Sequence, residues 1–274
     1  MGTLVILGLI APYYKIVLPP LIIIVIIVIA LIYNSRKKEK RMRDLVKQMI
    51  ETQDRALDAN PSEENLTDIA RPTDIQKVFE YLRGGSKGIF NLPGAFLSNV
   101  NLQRAKLISA NLQGANLQGA NLSDAFLYNS ILKGADLRKA DLRKARLTGA
   151  DLSQANLQRA KLIFANLQGA NLQGANLSDT FLYSTILKGA DLRKADLRKA
   201  RLTGADLSQA NLSRADLRGA QLNGVDFSGA DLSKANLSGA NLYQANLSGA
   251  ILSGAILSGA DLTDADLTKA ILPK

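Results

Sequence analysis

From residue 92 onward the apolar positions fall into one register. Leucine recurs at every fifth residue as far as Leu272, at 36 of 37 positions, and Phe227 is the single substitution. Two residues ahead of each leucine stands a small residue, alanine at 31 of the 36 positions from Ala95 to Ala270; the others are Val100, Ser130, Thr180, Thr185 and Val225. A period of five suits neither regular element. On an α-helix it rotates each leucine by about 140° and spreads the set around the cylinder. On a flat strand it sends alternate leucines to opposite faces. The chain must therefore turn inside each unit. In Ala135-Asp136-Leu137-Arg138-Lys139 the alanine and leucine are two apart and share a side of extended backbone, while Asp136 and Arg138 point elsewhere. The turn falls around Lys139, a position that elsewhere supplies Gly, Asp, Gln or Ser. Short extended pieces joined by turns, all apolar on one side, predict an all-β solenoid whose coils stack about 4.8 Å apart. Alternating small and large inward residues suits a narrow interior that two leucines per unit would overfill.

The pattern A-(D/N)-L-x-x is met in full by Ala110-Asn111-Leu112-Gln113-Gly114 and by Ala230-Asp231-Leu232-Ser233-Lys234. It resembles the pentapeptide-repeat family, and the resemblance covers residues 91–274, about two thirds of the chain. That resemblance implies a right-handed quadrilateral β-helix with four pentapeptides per coil. Thirty-seven units then make about nine coils, a rod of roughly 40–45 Å.

The N-terminal third follows different rules, and two further segments, 1–33 and 34–90, precede the repeats. Residues 16–33 carry no charge, and 21–33 is unbroken apolar chain rich in Ile and Val. As a helix this stretch is about 27 Å long, near the minimum for a bilayer core, so a single transmembrane α-helix is expected over 16–33. Pro19-Pro20 falls in its first turn, where proline is tolerated. A cleaved signal peptide is disfavoured, because the basic residues follow the apolar run. Those residues, Arg36, Lys37, Lys38, Lys40, Arg41 and Arg43, stand against one Glu39, with only Lys15 ahead of the span. The positive-inside rule places the N-terminus outside and the repeats in the cytoplasm, and the same cluster is a candidate contact for anionic membrane lipid. A helical connector follows. Thr73 and Gln76 form a capping box, Ile75, Val78, Phe79 and Leu82 make one stripe, and Gly84-Gly85 ends the helix. Stacked coils need their first rung covered, so this helix is expected to cap the solenoid at about Ile89 to Leu97.

Residues 101–155 recur as 156–210 with four differences: Ser109/Phe164, Ala125/Thr180, Asn129/Ser184 and Ser130/Thr185. The shift of 55 residues is eleven pentapeptides, or two and three-quarter coils, so the second copy faces a quarter turn away from the first. Such an operation lengthens a rod but does not copy a compact site usefully.

Composition and charge narrow the function. With no Cys, His or Trp, the chain has no thiolate chemistry and no imidazole base or ligand. Its serines have no histidine to activate them. Asp261, Asp264 and Asp266 alternate as the repeat dictates and suggest no metal site, and Arg83 to Gly88 lacks the spacing of a P-loop. No cofactor and no enzymatic activity are expected. The net charge of +10 includes 21 Lys/Arg against 14 Asp/Glu over residues 91–274. Basic blocks at Lys133 to Arg146 and Lys188 to Arg201 form belts, interleaved with Asp136, Asp141, Asp191 and Asp196. Some members of the family resemble duplex DNA and bind a topoisomerase; that mimicry requires an acidic rod, and the basic balance here argues against it.

Outward apolar residues are the stronger signal. Ile108, Phe126, Tyr128, Ile163, Phe164, Phe181, Tyr183, Ile186 and Tyr243 fall on two adjoining faces of a four-unit coil, with Ile131 as an exception. An apolar corner of this kind normally meets something, here a partner protein or a second copy. The expected function is a non-catalytic, membrane-tethered scaffold or protein-interaction module; the alternative is a basic rod that binds anionic lipid or nucleic acid.

Overall fold

The computed structural model describes residues 90–273, which lie within one compact unit. Within each pentapeptide the residue before leucine (Asp136 in the unit above) is the bridge position, and the two after it (Arg138 and Lys139) are the first and second turn positions. Parallel bridges join every bridge position to the one 20 residues later, from Asn91 with Asn111 to Ile251 with Ile271. Twenty residues are four pentapeptides, so the coil closes after four units. The 36 units of residues 91–270 thus make nine coils, the number expected from the repeat.

Inside the stack, a unit that carries Asn or Asp disposes of its five backbone N–H groups in one way. The Asp136 N–H donates to Ala115 O at 2.9 Å in the coil before, and the Leu137 N–H to Asn156 O at 2.7 Å in the coil after. The Lys139 N–H reaches Gln158 O at 3.0 Å, again in the next coil, and the Ala140 N–H closes the turn on Leu137 O at 3.0 Å. One donor remains, the N–H of Arg138, and the Asp136 side chain takes it through Oδ1 at 3.1 Å. This is the physical reason for Asn or Asp in the motif: a buried or half-buried N–H without an acceptor costs about 1–3 kcal/mol. From Asn101 to Asp266, all 23 Asn or Asp residues at bridge positions accept this bond, as Asn101 does at 3.0 Å and Asp266 at 2.9 Å. Asn91 needs no such role, because Pro93 has no N–H to satisfy.

All 36 second turn positions from Gly94 to Lys269 have positive φ, between 50° and 68°, the signature of a type II turn. Sixteen of them are glycine and 20 are not. A left-handed residue other than glycine is less favourable by roughly 1–2 kcal/mol, and here hydrogen bonds to the coils on either side hold the turn in place. At Gly149 a Cβ would also meet the end of the Asn129 side chain one coil earlier, which would have to move aside.

The interior is built as the alternation predicts. Leucines from Leu107 to Leu252 and the alanines between them are buried, as is Phe227. The three inward hydroxyls are satisfied without water: Ser130 donates to Leu127 O at 2.8 Å, Thr180 to Leu157 O at 3.0 Å and Thr185 to Leu162 O at 2.9 Å. The two ends differ. Leu97, Leu102 and Leu107 of the first coil are fully buried, whereas Leu257, Leu262 and Leu267 of the last are only half-buried. The expected membrane span over 16–33, the basic cluster Arg36 to Arg43 and the capping helix over 73–83 all lie outside the described residues.

Candidate functional site

The turn geometry decides what the basic belts present. A first-turn arginine folds back onto the aspartate of its own unit, so Arg138–Asp136, Arg143–Asp141, Arg193–Asp191, Arg198–Asp196 and Arg218–Asp216 all pair at 2.6 Å. Hydrogen bonds from Arg193 and Arg218 hold the Asp191 and Asp216 carboxyls below their ordinary range. The lysines at second turn positions enter no ion pair among the described residues. At one corner Lys194, Arg214 and Lys234 stand one above another in successive coils. Among the described residues no group of three or more His, Cys, Asp or Glu could hold a metal ion.

Two of the bridge-position phenylalanines, Phe126 and Phe181, have a cation at the same position in the coil on either side. Phe126 bridges Lys106 on one side and Arg146 on the other, with the guanidinium 4.7 Å from the ring centroid. Phe181 repeats the arrangement between Lys161 and Arg201, at 4.8 Å. Stacking of this kind keeps both rings half-buried and is worth roughly 0.5–1 kcal/mol at an exposed site.

Residues 20 apart share a face, and that rule sorts the outward apolar set. Ile108 lies directly beneath Tyr128 in the first two coils, with the Phe126 and Tyr128 rings 6.5 Å apart. Ile163 and Phe164 lie beneath Phe181 and Tyr183 in the fourth and fifth coils, where the Phe164 N–H donates to Tyr183 O at 3.1 Å. Ile186 follows in the next unit of the fifth coil, and Tyr243 stands alone three coils later. Between the two clusters the third coil inserts Arg143, Lys144 and Arg146. The expected single apolar corner is therefore two separate clusters and an isolated tyrosine. Phe164 is the most exposed of the large apolar side chains, at 60%, while Ile163, Phe181 and Tyr183 are half-buried.

These clusters share a feature that the sequence pattern does not reveal unaided. Each of their units has lost the Asn or Asp: Lys106, Phe126, Lys161, Phe181 and Ile186 occupy bridge positions. The N–H groups of Ile163 and Tyr183 consequently have no protein acceptor among the described residues, whereas those of Ser123, Arg143 and Tyr243 on the same face bond to Asn121, Asp141 and Asn241. The signal was present as a break in the A-(D/N)-L grammar, and its meaning depends on knowing what the side chain accepts.

The family model for pentapeptide repeats matches this chain in overlapping stretches from 90–119 to 235–273, and the chain belongs to that family. A right-handed β-helix is the fold that this membership carries. HetL of the cyanobacterium Nostoc sp. strain PCC 7120, a pentapeptide-repeat protein involved in heterocyst differentiation regulation, is 38% identical over 72% of this chain and 95% of its own, with a TM-score of 0.43. QnrB1, a plasmid-mediated fluoroquinolone resistance protein, is 19% identical over 67% of this chain and 91% of its own, with a TM-score of 0.45. A pentapeptide-repeat protein of the Arabidopsis thaliana thylakoid lumen is 33% identical over 39% of this chain and 67% of its own, with a TM-score of 0.19. None of the curated proteins matches the chain significantly.

Proposed function

We propose that this pentapeptide-repeat protein is a non-catalytic interaction module, a rigid β-helical rod that offers outward side chains to a protein partner and is tethered to a membrane by its N-terminal segment. The observation that carries the first part is the apolar cluster of the fourth and fifth coils, where Phe164 is the most exposed of the large apolar side chains. The regulatory role printed for HetL is consistent with a module that acts by binding. The tether rests on sequence alone: an uncharged run over 16–33 followed by six basic residues between Arg36 and Arg43. Among the described residues no helix is long and apolar enough to cross a membrane.

The test is photo-crosslinking of the full-length protein in its native membranes, with a reactive group at Tyr183 or Phe164 and, as control, at Ser233. Specific capture from the cluster and none from Ser233 supports the reading, and absence of capture from every face rejects it. Deleting residues 1–43 should release the rod from the membrane fraction, and retention there would remove the tether.

A second reading has its own observation. The corner ladder Lys194, Arg214 and Lys234, in no ion pair among the described residues, suits a linear polyanion. Retention on heparin should then fall with salt and with Arg214→Gln; behaviour independent of salt excludes it.

A further inference from the structure

We infer that Ile163, Phe164, Phe181 and Tyr183 form a docking site for an acidic segment of a partner protein that also carries apolar side chains. This rests on the interaction-module reading and deepens it by naming the surface and the chemistry of what it takes.

The two 55-residue copies supply the first argument. They differ at four positions, and all four border this cluster. Phe164 replaces Ser109 within it. Ser184, in place of Asn129, is the residue directly above Phe164 in the next coil. Thr180 and Thr185, in place of Ala125 and Ser130, are the buried residues on either side of the Phe181 to Ser184 stretch. Asn129 reaches up against Gly149, whereas the shorter Ser184 keeps farther from Gly204 in the equivalent place. Change between the copies is thus confined to the place where a ring was added.

The second argument is the conformation of that ring's backbone. Phe164 has a φ of 59° and is 60% exposed, so it accepts the left-handed penalty of a bulky residue with little burial in return. Glycine fills the same position in 16 other units and would serve the coil better. A phenylalanine there is placed for something outside the coil.

Charge and hydrogen bonding then specify the occupant. The N–H groups of Ile163 and Tyr183 lack acceptors among the described residues. Lys161 sits in the same unit as Ile163, the Arg201 guanidinium lies 4.8 Å over Phe181, and Lys144 is directly below Phe164. None of these three cations is in an ion pair among the described residues. The nearby carboxylates are Asp141, already paired with Arg143 at 2.6 Å, and Asp179 in the unit before Phe181. A partner carboxylate set against the Ile163 or Tyr183 N–H reproduces the bond that Asp141 Oδ1 makes to the Arg143 N–H at 3.1 Å one coil lower. Lys161 and Arg201 stabilise its charge, and apolar residues of the same segment cover Phe164.

The experiment titrates the full-length protein with labelled short peptides in which Asp or Glu alternates with Phe or Leu, with matched peptides carrying Lys or Ser for the acids, and with phosphatidylglycerol vesicles. The acidic apolar peptides should bind about tenfold more tightly than the lysine set. Phe164→Ser, which restores the first copy's residue, and Lys161→Gln should each weaken binding about tenfold. Phe164→Ser should melt no lower than the parent, and Tyr128→Ser in the first copy should bind as the parent does. Equal binding of acidic and basic peptides, unchanged binding by Phe164→Ser, or binding to vesicles and to no peptide overturns the inference. Crosslinked capture of a partner that Phe164→Ser leaves unchanged removes this site and keeps the interaction-module reading; no capture from any face removes that reading itself.

Discussion

Residues 101–155 and 156–210 carry the same residue at 51 of 55 positions and lie a quarter turn apart on the coil, so almost every side chain occurs twice in matched surroundings but facing two directions. The matched geometries agree closely. Arg138 meets Asp136 at 2.6 Å and Arg193 meets Asp191 at 2.6 Å; Arg146 lies 4.7 Å over Phe126 and Arg201 4.8 Å over Phe181. A residue's structural role is therefore set by its place in the pentapeptide and by the units 20 residues away, and not by the face it occupies. The coil can lengthen by whole units, because each inner unit bonds to the coils on either side through the same backbone groups. What it cannot do in this way is repeat a multi-residue surface in register, which leaves one copy free to diverge. The divergence is at Phe164.

The comparison can be broken most forcefully in the interior. Leu127 and Leu182 are equivalent and fully buried. Leu127→Ala and Leu182→Ala should each cost about 2–5 kcal/mol by denaturant unfolding, and by similar amounts. Clearly unequal losses would show that the two copies are not structurally equivalent.

Removing the bridge-position side chain is the next effect in size. Asp141→Ala and Asp196→Ala each lose an acceptor for a first-turn N–H and an ion pair to arginine. A loss of about 1–2 kcal/mol is expected in both copies, read as a fall in melting temperature. Replacement by Asn keeps the Oδ1 acceptor and should cost less than Ala at pH 7, since only the ion pair is lost. It tests the pH response instead. Because the arginine hydrogen bonds depress the Asp191 and Asp216 pKa values, the unfolded chain binds protons first as pH falls. Their contribution is then complete at neutral pH and is lost as pH drops below about 4 and on through the folded-state values. Asp191→Asn with Asp216→Asn should flatten the acid-side decline in melting temperature, and an unchanged slope would show that these pairs do not contribute.

The smallest effect is the most specific. Phe164→Gly relieves a left-handed phenylalanine, so stability should stay level or rise by about 1 kcal/mol. Ser109→Gly in the first copy should behave alike. A marked loss at residue 164 alone would mean that the ring is structural.

Much of this architecture can be read from the chain. The five-residue period forces a turn in each unit, the paired small and large inward residues define the interior, and residues such as Lys139 mark the turn correctly. The role of Asp136 could not be read in that way. Extended backbone shows only that its side chain leaves the core, and the bond to the Arg138 N–H appears once the turn type is known. Cation stacking on Phe126 and Phe181 joins residues 20 apart, so it depends on the coil closing after four units. The apolar set was placed on the right faces, but face alone ignores height. The third coil's Arg143, Lys144 and Arg146 divide it into two clusters.

The most direct test of this account uses two tyrosines at the same position on one face. Tyr243 follows Asn241, and its N–H donates to Asn241 Oδ1 at 3.0 Å; Tyr183 follows Phe181, and its N–H has no protein acceptor among the described residues. Amide hydrogen exchange on the full-length protein should find the Tyr183 amide exchanging much faster than that of Tyr243, and slowed when an acidic apolar peptide is bound. Equal protection of the two amides in the free protein would contradict both the role assigned to the motif's Asn or Asp and the site built on its absence.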